Sequence, residues 1–183
     1  MQDKKTGLER FNVIAFTHAG IGLKELGHFH LDQSEIVSKM NELKAELGIA
    51  EIMYLSTCNR VEFILVTNEP VNERFVSRFI TAFHQDWSEE HITQIADKTR
   101  YWNGINGVNH LIEVASSLDS MVLGEREIIT QVRNAFEFCW KEALAGDIIR
   151  IVIRQTIETA KKVYTETSIS EKSVSVVSLA YQE

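Results

Sequence analysis

Cysteines and histidines are the residues of this chain whose chemistry is most worth locating first, and there are two of the former and six of the latter. Cys58 lies in the polar segment Ser56-Thr57-Cys58-Asn59-Arg60, between the apolar runs Ile52–Leu55 and Val61–Val66. A thiol on such a turn projects toward solvent or a cleft, and a cation two residues away favours the thiolate, the nucleophilic form. Composition alone leaves Cys58 open between a nucleophile and an ordinary turn residue. Cys139 sits in an apolar stripe beside Trp140 and reads as a small buried hydrophobe. Two cysteines outside any C-x-x-C pair make no disulfide framework. His28 and His30 could share a metal on a strand, but no carboxylate or thiol stands beside them. The sequence therefore favours a plain loop role there, with no metal expected.

The surrounding elements must position these groups. Phe11–Phe16 is rich in strand formers, and Leu31–Leu47 carries Ile36, Met40, Leu43 and Leu47 at helical spacing. Asp32 or Ser34 caps that helix and Gly48 stops it. The two apolar runs flanking Cys58 predict a hairpin, with Asn59 suited to its turn. Phe75, Phe79 and Phe83 mark a second helix, and Thr99–Trp102 a last strand. Strand, helix, strand, strand, helix, strand is the order of a ferredoxin-like α+β sandwich: an antiparallel sheet with helices on one face. From Gly107 onward the pattern is helical. One stripe is Ile128, Val132, Phe136 and Cys139. Gly146 breaks it, and Ile149, Ile153, Ile157, Ala160 and Tyr164 begin another, expected to form a rod leading away from the sandwich. The division anticipated is residues 1–145 as the catalytic unit and 146–183 as a long helix.

Bulk properties bound the function. An apolar fraction of 44% with 25% charged residues suits a globular domain. No apolar run reaches membrane-spanning length and no secretory signal opens the chain, so a cytoplasmic protein without membrane attachment is expected. A formal net charge of −7 argues against gripping nucleic acid mainly through its phosphates. The apolar pattern is still running at Gln182-Glu183, as in a piece of a longer protein.

The segment Ser56-Thr57-Cys58-Asn59-Arg60-Val61-Glu62 resembles the Ser-Thr-Cys-Asn-Arg-x-Glu signature of the glutamyl-tRNA reductase family. A second block, His110-Leu111, then Val114 through Glu125, then Gln131-Val132, is similar to that family's His-Leu…Val-Ala-Ser-Gly-Leu-Asp-Ser-x-Val-Leu-Gly-Glu-Pro-Gln-Ile…Gln-Val run. A third, weaker likeness is Thr165–Ile169 with Ser173–Val176, which resembles the segment leading out along a spinal helix.

The resemblance implies the N-terminal catalytic domain of an enzyme that reduces tRNA-borne glutamate to glutamate-1-semialdehyde for tetrapyrrole synthesis. It implies Cys58 as nucleophile and His110 as important for activity. It places substrate contacts at Thr57, Asn59, Arg60, Ser120, Glu125, Arg126, Glu127 and Gln131. NADPH would be bound outside this chain, for no Gly-x-Gly-x-x-Gly follows a strand and Gly20-Ile21-Gly22 lacks the third glycine. The implied partners are glutamyl-tRNA, a second copy through a missing C-terminal domain, and glutamate-1-semialdehyde aminomutase. Three departures stand out: Arg126-Glu127 replaces Pro-Gln, Ser117 stands where Gly is usual, and His18-Ala19-Gly20-Ile21 lacks the basic residue that follows the family's histidine. A cysteine esterase and a non-catalytic paralogue binding aminoacyl-tRNA or a partner are the competing readings.

Overall fold

The structure, a computed structural model, describes residues 7–118 and 127–167. Its elements run β1 (Phe11–Thr17), α1 (His18–Ile21), α2 (Leu23–Gly27), α3 (Gln33–Leu47), β2 (Ile49–Ser56), β3 (Arg60–Thr67) and α4 (Glu73–Phe83). They continue as α5 (Glu89–Ala96), β4 (Arg100–Asn103), α6 (Ile105–Ala115), α7 (Glu127–Lys141) and α8 (Asp147–Glu166). Local signals set the boundaries. Glu35 accepts the Asp32 N–H at 3.2 Å at the start of α3, and Gly48 at φ 65° ends it. Asn72 accepts the Phe75 N–H at 3.0 Å to open α4.

The four strands lie in the order β2-β3-β1-β4, all antiparallel, which is the expected ferredoxin-like arrangement. Alternation assigns the two faces. Ile14 and Phe16 of β1, Phe63 of β3 and Tyr54 of β2 share one face. There Phe16 stacks on Phe29 with ring centroids 3.8 Å apart, and Phe63 meets Phe79 of α4 at 4.8 Å. The expected phenylalanine stripe of α4 is thus the core of this side.

Val13 and Ala15 of β1, Glu62 of β3 and Glu51 of β2 point to the opposite face. That face is not open: every residue of β3 is buried. Helices α6 and α8 cover it, and here the structure departs from a rod leading away. The buried side of α8, Ile149, Val152, Ile153, Thr156, Ala160 and Tyr164, faces the rest of the chain along the helix. The reason is a staple at its first turn. The Glu51 carboxylate accepts backbone N–H groups of Gly146, Ile148 and Ile149 at 3.1, 3.2 and 2.9 Å. A Cβ at Gly146 would stand 2.6 Å from the Glu51 carboxyl carbon, so glycine is what lets the chain approach it. As far as Glu166, the helical extension lies on the sheet as a second layer.

Candidate active site

Cys58 occupies the exposed tip of the β2–β3 connection. Thr57 N–H donates to Arg60 O at 2.9 Å and closes the turn, while Asn59 N–H donates to Thr57 Oγ1 at 3.3 Å. The Asn59 carbonyl accepts the His18 N–H at 3.0 Å, which ties the tip to the end of β1. Thr57 and Asn59 are half-buried. The turn therefore holds its backbone through its own peptide groups and the Thr57 hydroxyl and leaves the thiol outward.

Below the tip, the second face carries a buried polar cluster. Glu62, with no solvent exposure, accepts from Arg60 Nη1 at 2.9 Å, and its same oxygen lies 2.9 Å from His110 Nε2. A carboxylate oxygen accepts, so this contact gives His110 Nε2–H the role of donor. The His110 ring stacks on Trp102 at 3.6 Å, and Arg100 lies over Trp102 at 5.0 Å. Glu62 and Arg100 both pair with Ala15 in the sheet register, so a small residue separates the two ends of this array. Glu62 Oε2 accepts no hydrogen bond among the described residues.

Of the residues singled out from the sequence, Arg60 and His110 are brought together, through Glu62. Thr57, Cys58 and Asn59 form the turn above them. Glu127 and Gln131 sit on the first turns of α7, the former exposed and the latter half-buried, and no hydrogen bond among the described residues joins them to the turn. Ser120, Glu125 and Arg126 lie outside the described residues. Ser117 is buried at φ 57°, a left-handed backbone that explains why glycine suits the position better. Cys139 is buried on α7, and burial pushes its thiol above the ordinary cysteine range, with a hydrogen bond to the Tyr54 backbone opposing. The described residues contain no group of three His, Cys, Asp or Glu fit to hold a metal, and no helix among them is long and apolar enough to cross a membrane.

Sequence reasoning included Glu62 in the family signature but gave it no role. The signal for one was present: a carboxylate inside the otherwise apolar run Val61–Val66, at a position alternation turns inward. It passed over Trp102 as the cover of His110, and it treated His30 only as a weak metal ligand. His30 Nδ1 lies 2.7 Å from Ser56 Oγ, beside the turn.

Fold and turn together define a class: a ferredoxin-like α+β domain that presents a thiol at the tip of its central hairpin, above a buried arginine–carboxylate–histidine cluster. A family model described as glutamyl-tRNAGlu reductase, N-terminal domain, matches residues 14–167, and the chain belongs to this family. A glutamyl-tRNA reductase of Bacillus pumilus is 34% identical over 145 residues, covering 79% of this chain and 31% of that relative. One of Saccharolobus islandicus is 33% identical over 177 residues, covering 96% and 39%. The solved structure of glutamyl-tRNA reductase from Methanopyrus kandleri superposes with a TM-score of 0.71 at 28% identity, covering 95% of this chain and 39% of that one. The chain thus spans about a third of the length of the curated relatives it matches.

Proposed function

We propose that this chain is the acyl-transfer portion of a glutamyl-tRNA reductase, with Cys58 as the nucleophile. The observation that carries the reading is the exposed thiol on a self-braced turn whose base is the buried Arg60–Glu62–His110 cluster. The Cys58 thiolate attacks the ester carbonyl joining glutamate to the tRNA 3′ end. A C–S bond forms, the bond to the ribose oxygen breaks, and tRNA leaves a glutamyl thioester on the protein. Sulfur donates less electron density to the carbonyl than oxygen does, so the thioester is the better hydride acceptor.

Arg60 pairs with the substrate carboxylate in this reading, held in place by Glu62, and His110 acts by fixing that carboxylate from the other side. Thr57 and Asn59 line the turn. Ser120, Glu125, Arg126, Glu127 and Gln131 supply the remaining substrate contacts on the strength of the family resemblance alone. Residues 1–145 carry this chemistry, and 146–183 begin the linker helix.

The described residues do not suit NADPH. Their sheet is antiparallel, and the Gly20-Ile21-Gly22 stretch after β1 opens a helix of only five residues. No step of the mechanism is therefore assigned to the cofactor on this chain. Hydride delivery, dimerisation, hand-over of the aldehyde to an aminomutase and a cytoplasmic place in tetrapyrrole synthesis belong to the same proposal, supported by the family alone.

The test is incubation with tRNA charged with labelled glutamate. The chain retains label in a hydroxylamine-sensitive bond, as does Cys139→Ser, and Cys58→Ser lowers label capture at least a hundredfold. Free glutamate without captured label points to an esterase. Tight tRNA binding with neither points to a non-catalytic paralogue. Undiminished capture by Cys58→Ser sinks the nucleophile assignment.

A further inference from the structure

His110 is poorly placed to handle the Cys58 proton. Its Nε2 is engaged by Glu62, its ring is covered by Trp102, and only 3% of it is exposed. It also belongs to the face of Arg60 and Glu62. The opposite side of the same turn carries a different imidazole. His30 Nδ1 lies 2.7 Å from Ser56 Oγ, and Ser56 precedes Cys58 by two residues, a Cα separation of at most ~7 Å. Ser56 pairs with Val61 on the last rung of the β2–β3 ladder, on the face of Phe16 and Phe63.

The backbone of His30 is held on both sides by one hydroxyl. Tyr54 OH donates to Phe29 O at 3.1 Å and accepts the Leu31 N–H at 3.0 Å, bracketing His30 against β2. Phe29 itself is buried and stacked on Phe16. Tyr54 is half of a buried core pair with Phe63, and burial pushes its phenol above the ordinary range, so the hydroxyl keeps the proton it donates. The core packing of Phe29 and the Tyr54 hydroxyl thus fix the backbone of an exposed histidine beside β2. Its fixed edge faces the serine that adjoins the reactive turn.

We propose that the His30–Ser56 pair is the proton acceptor for the Cys58 thiol, which rests on Cys58 being the acyl-transfer nucleophile. The outward Cys58 thiol makes no hydrogen bond to Ser56 at rest; it turns onto Ser56 Oγ and passes its proton there as the Ser56 hydroxyl proton passes to His30 Nδ1. The thiolate then forms the C–S bond at the ester carbonyl. As the carbon–oxygen bond to the ribose breaks, the imidazolium returns its proton, through Ser56, to the departing 3′ oxygen. Nothing is oxidised or reduced in this step.

Other ionisable groups surround the tip. His18 follows β1 and binds Asn59 O through its N–H, Arg60 lies beneath the turn on β3, Tyr54 lies on β2, and Asp32 opens α3. His28 turns away, edge-on to Trp87 and His84. Of these, only His18 is a second exposed imidazole at the turn, so it is the control.

The experiment measures Cys58 alkylation by iodoacetamide against pH in the 183-residue chain carrying Cys139→Ser. The expected profile has a second inflection besides that of the thiol, set by the group that takes its proton. His30→Gln removes this inflection and slows alkylation at neutral pH about tenfold, and Ser56→Ala does the same. Added imidazole restores part of the rate to His30→Gln, and His18→Gln keeps the inflection. An unchanged profile in His30→Gln, or an inflection that disappears with His18→Gln instead, overturns the proposal. Single-turnover acylation by glutamyl-tRNA is measured in parallel, and His30→Gln slows it by a similar factor. Because alkylation needs no tRNA, failure of the parent to acylate counts against the glutamyl-tRNA reading, while the alkylation profile still decides the role of His30.

Discussion

Two glutamates point from the same face of the sheet into the helical layer, and they organise opposite ends of it. Glu62, close to the Cys58 turn, satisfies side chains: the Arg60 guanidinium and the His110 imidazole meet on one of its oxygens. Glu51, at the far end of β2, satisfies backbone, taking three N–H groups at the start of α8. Glu62 is fully buried with donors on one oxygen only, whereas Glu51 is half-buried with donors on both. The difference lies in what they hold still. Glu51 fixes where a helix begins, a matter of architecture. Glu62 fixes the direction of a cation beneath a reactive thiol, a matter of chemistry.

That contrast yields predictions that grade from large to small. Glu62→Ala leaves the buried Arg60 guanidinium without its carboxylate and costs about 3–5 kcal/mol, read as a drop in the urea midpoint. A loss under about 1 kcal/mol would mean that water or a shift of Arg60 replaces the pair, and the cluster is less enclosed than its burial indicates. Glu51→Ala removes the cap on α8 and costs about 2 kcal/mol. The two faces then separate by function as well. Glu51→Ala leaves the rate of Cys58 alkylation within about twofold of the parent as long as the chain is folded. A larger change there would break the division between architecture and chemistry. The smallest effect belongs to the connection that delivers Gly146 to Glu51. Ala143 is exposed at φ 55°, where α7 ends and Leu144 N–H returns to Cys139 O at 2.9 Å. Ala143→Gly relieves that backbone and stabilises the chain by about 0.5–1 kcal/mol, visible as a rise of a few degrees in Tm. No gain would show that the connection is already relaxed and that Glu51 alone limits this end.

Short-range chemistry was legible in the sequence, and long-range pairing was not. The hairpin around Cys58, the cap at Asp32, the stop at Gly48 and the phenylalanine stripe of α4 all follow from residues within a few positions of one another. The ferredoxin-like order follows from them in turn. Helix α5 escaped notice because Ile92 and Ile95 are its only buried residues, too few to set a period. The staple from Glu51 to Gly146 spans 95 residues, and the contact of Glu62 with His110 spans 48. No local pattern encodes either, so a stripe that truly is amphipathic was expected to lead away from the sandwich it packs on. In the candidate site the nucleophilic turn was visible because its residues are contiguous. The carboxylate that organises its base was visible as the last residue of the signature and as an oddity in an apolar strand, but not its contact with His110.

The outer margin of β2 has one further consequence. Ile52 N–H, which would otherwise face solvent, donates to Leu144 O at 2.9 Å. The opposite margin, β4, is four residues long and carries Arg100. A sheet so guarded on one side and so brief and charged on the other gives an incoming extended peptide little to zip onto. Addition of another strand is thus disfavoured at both margins of this sheet.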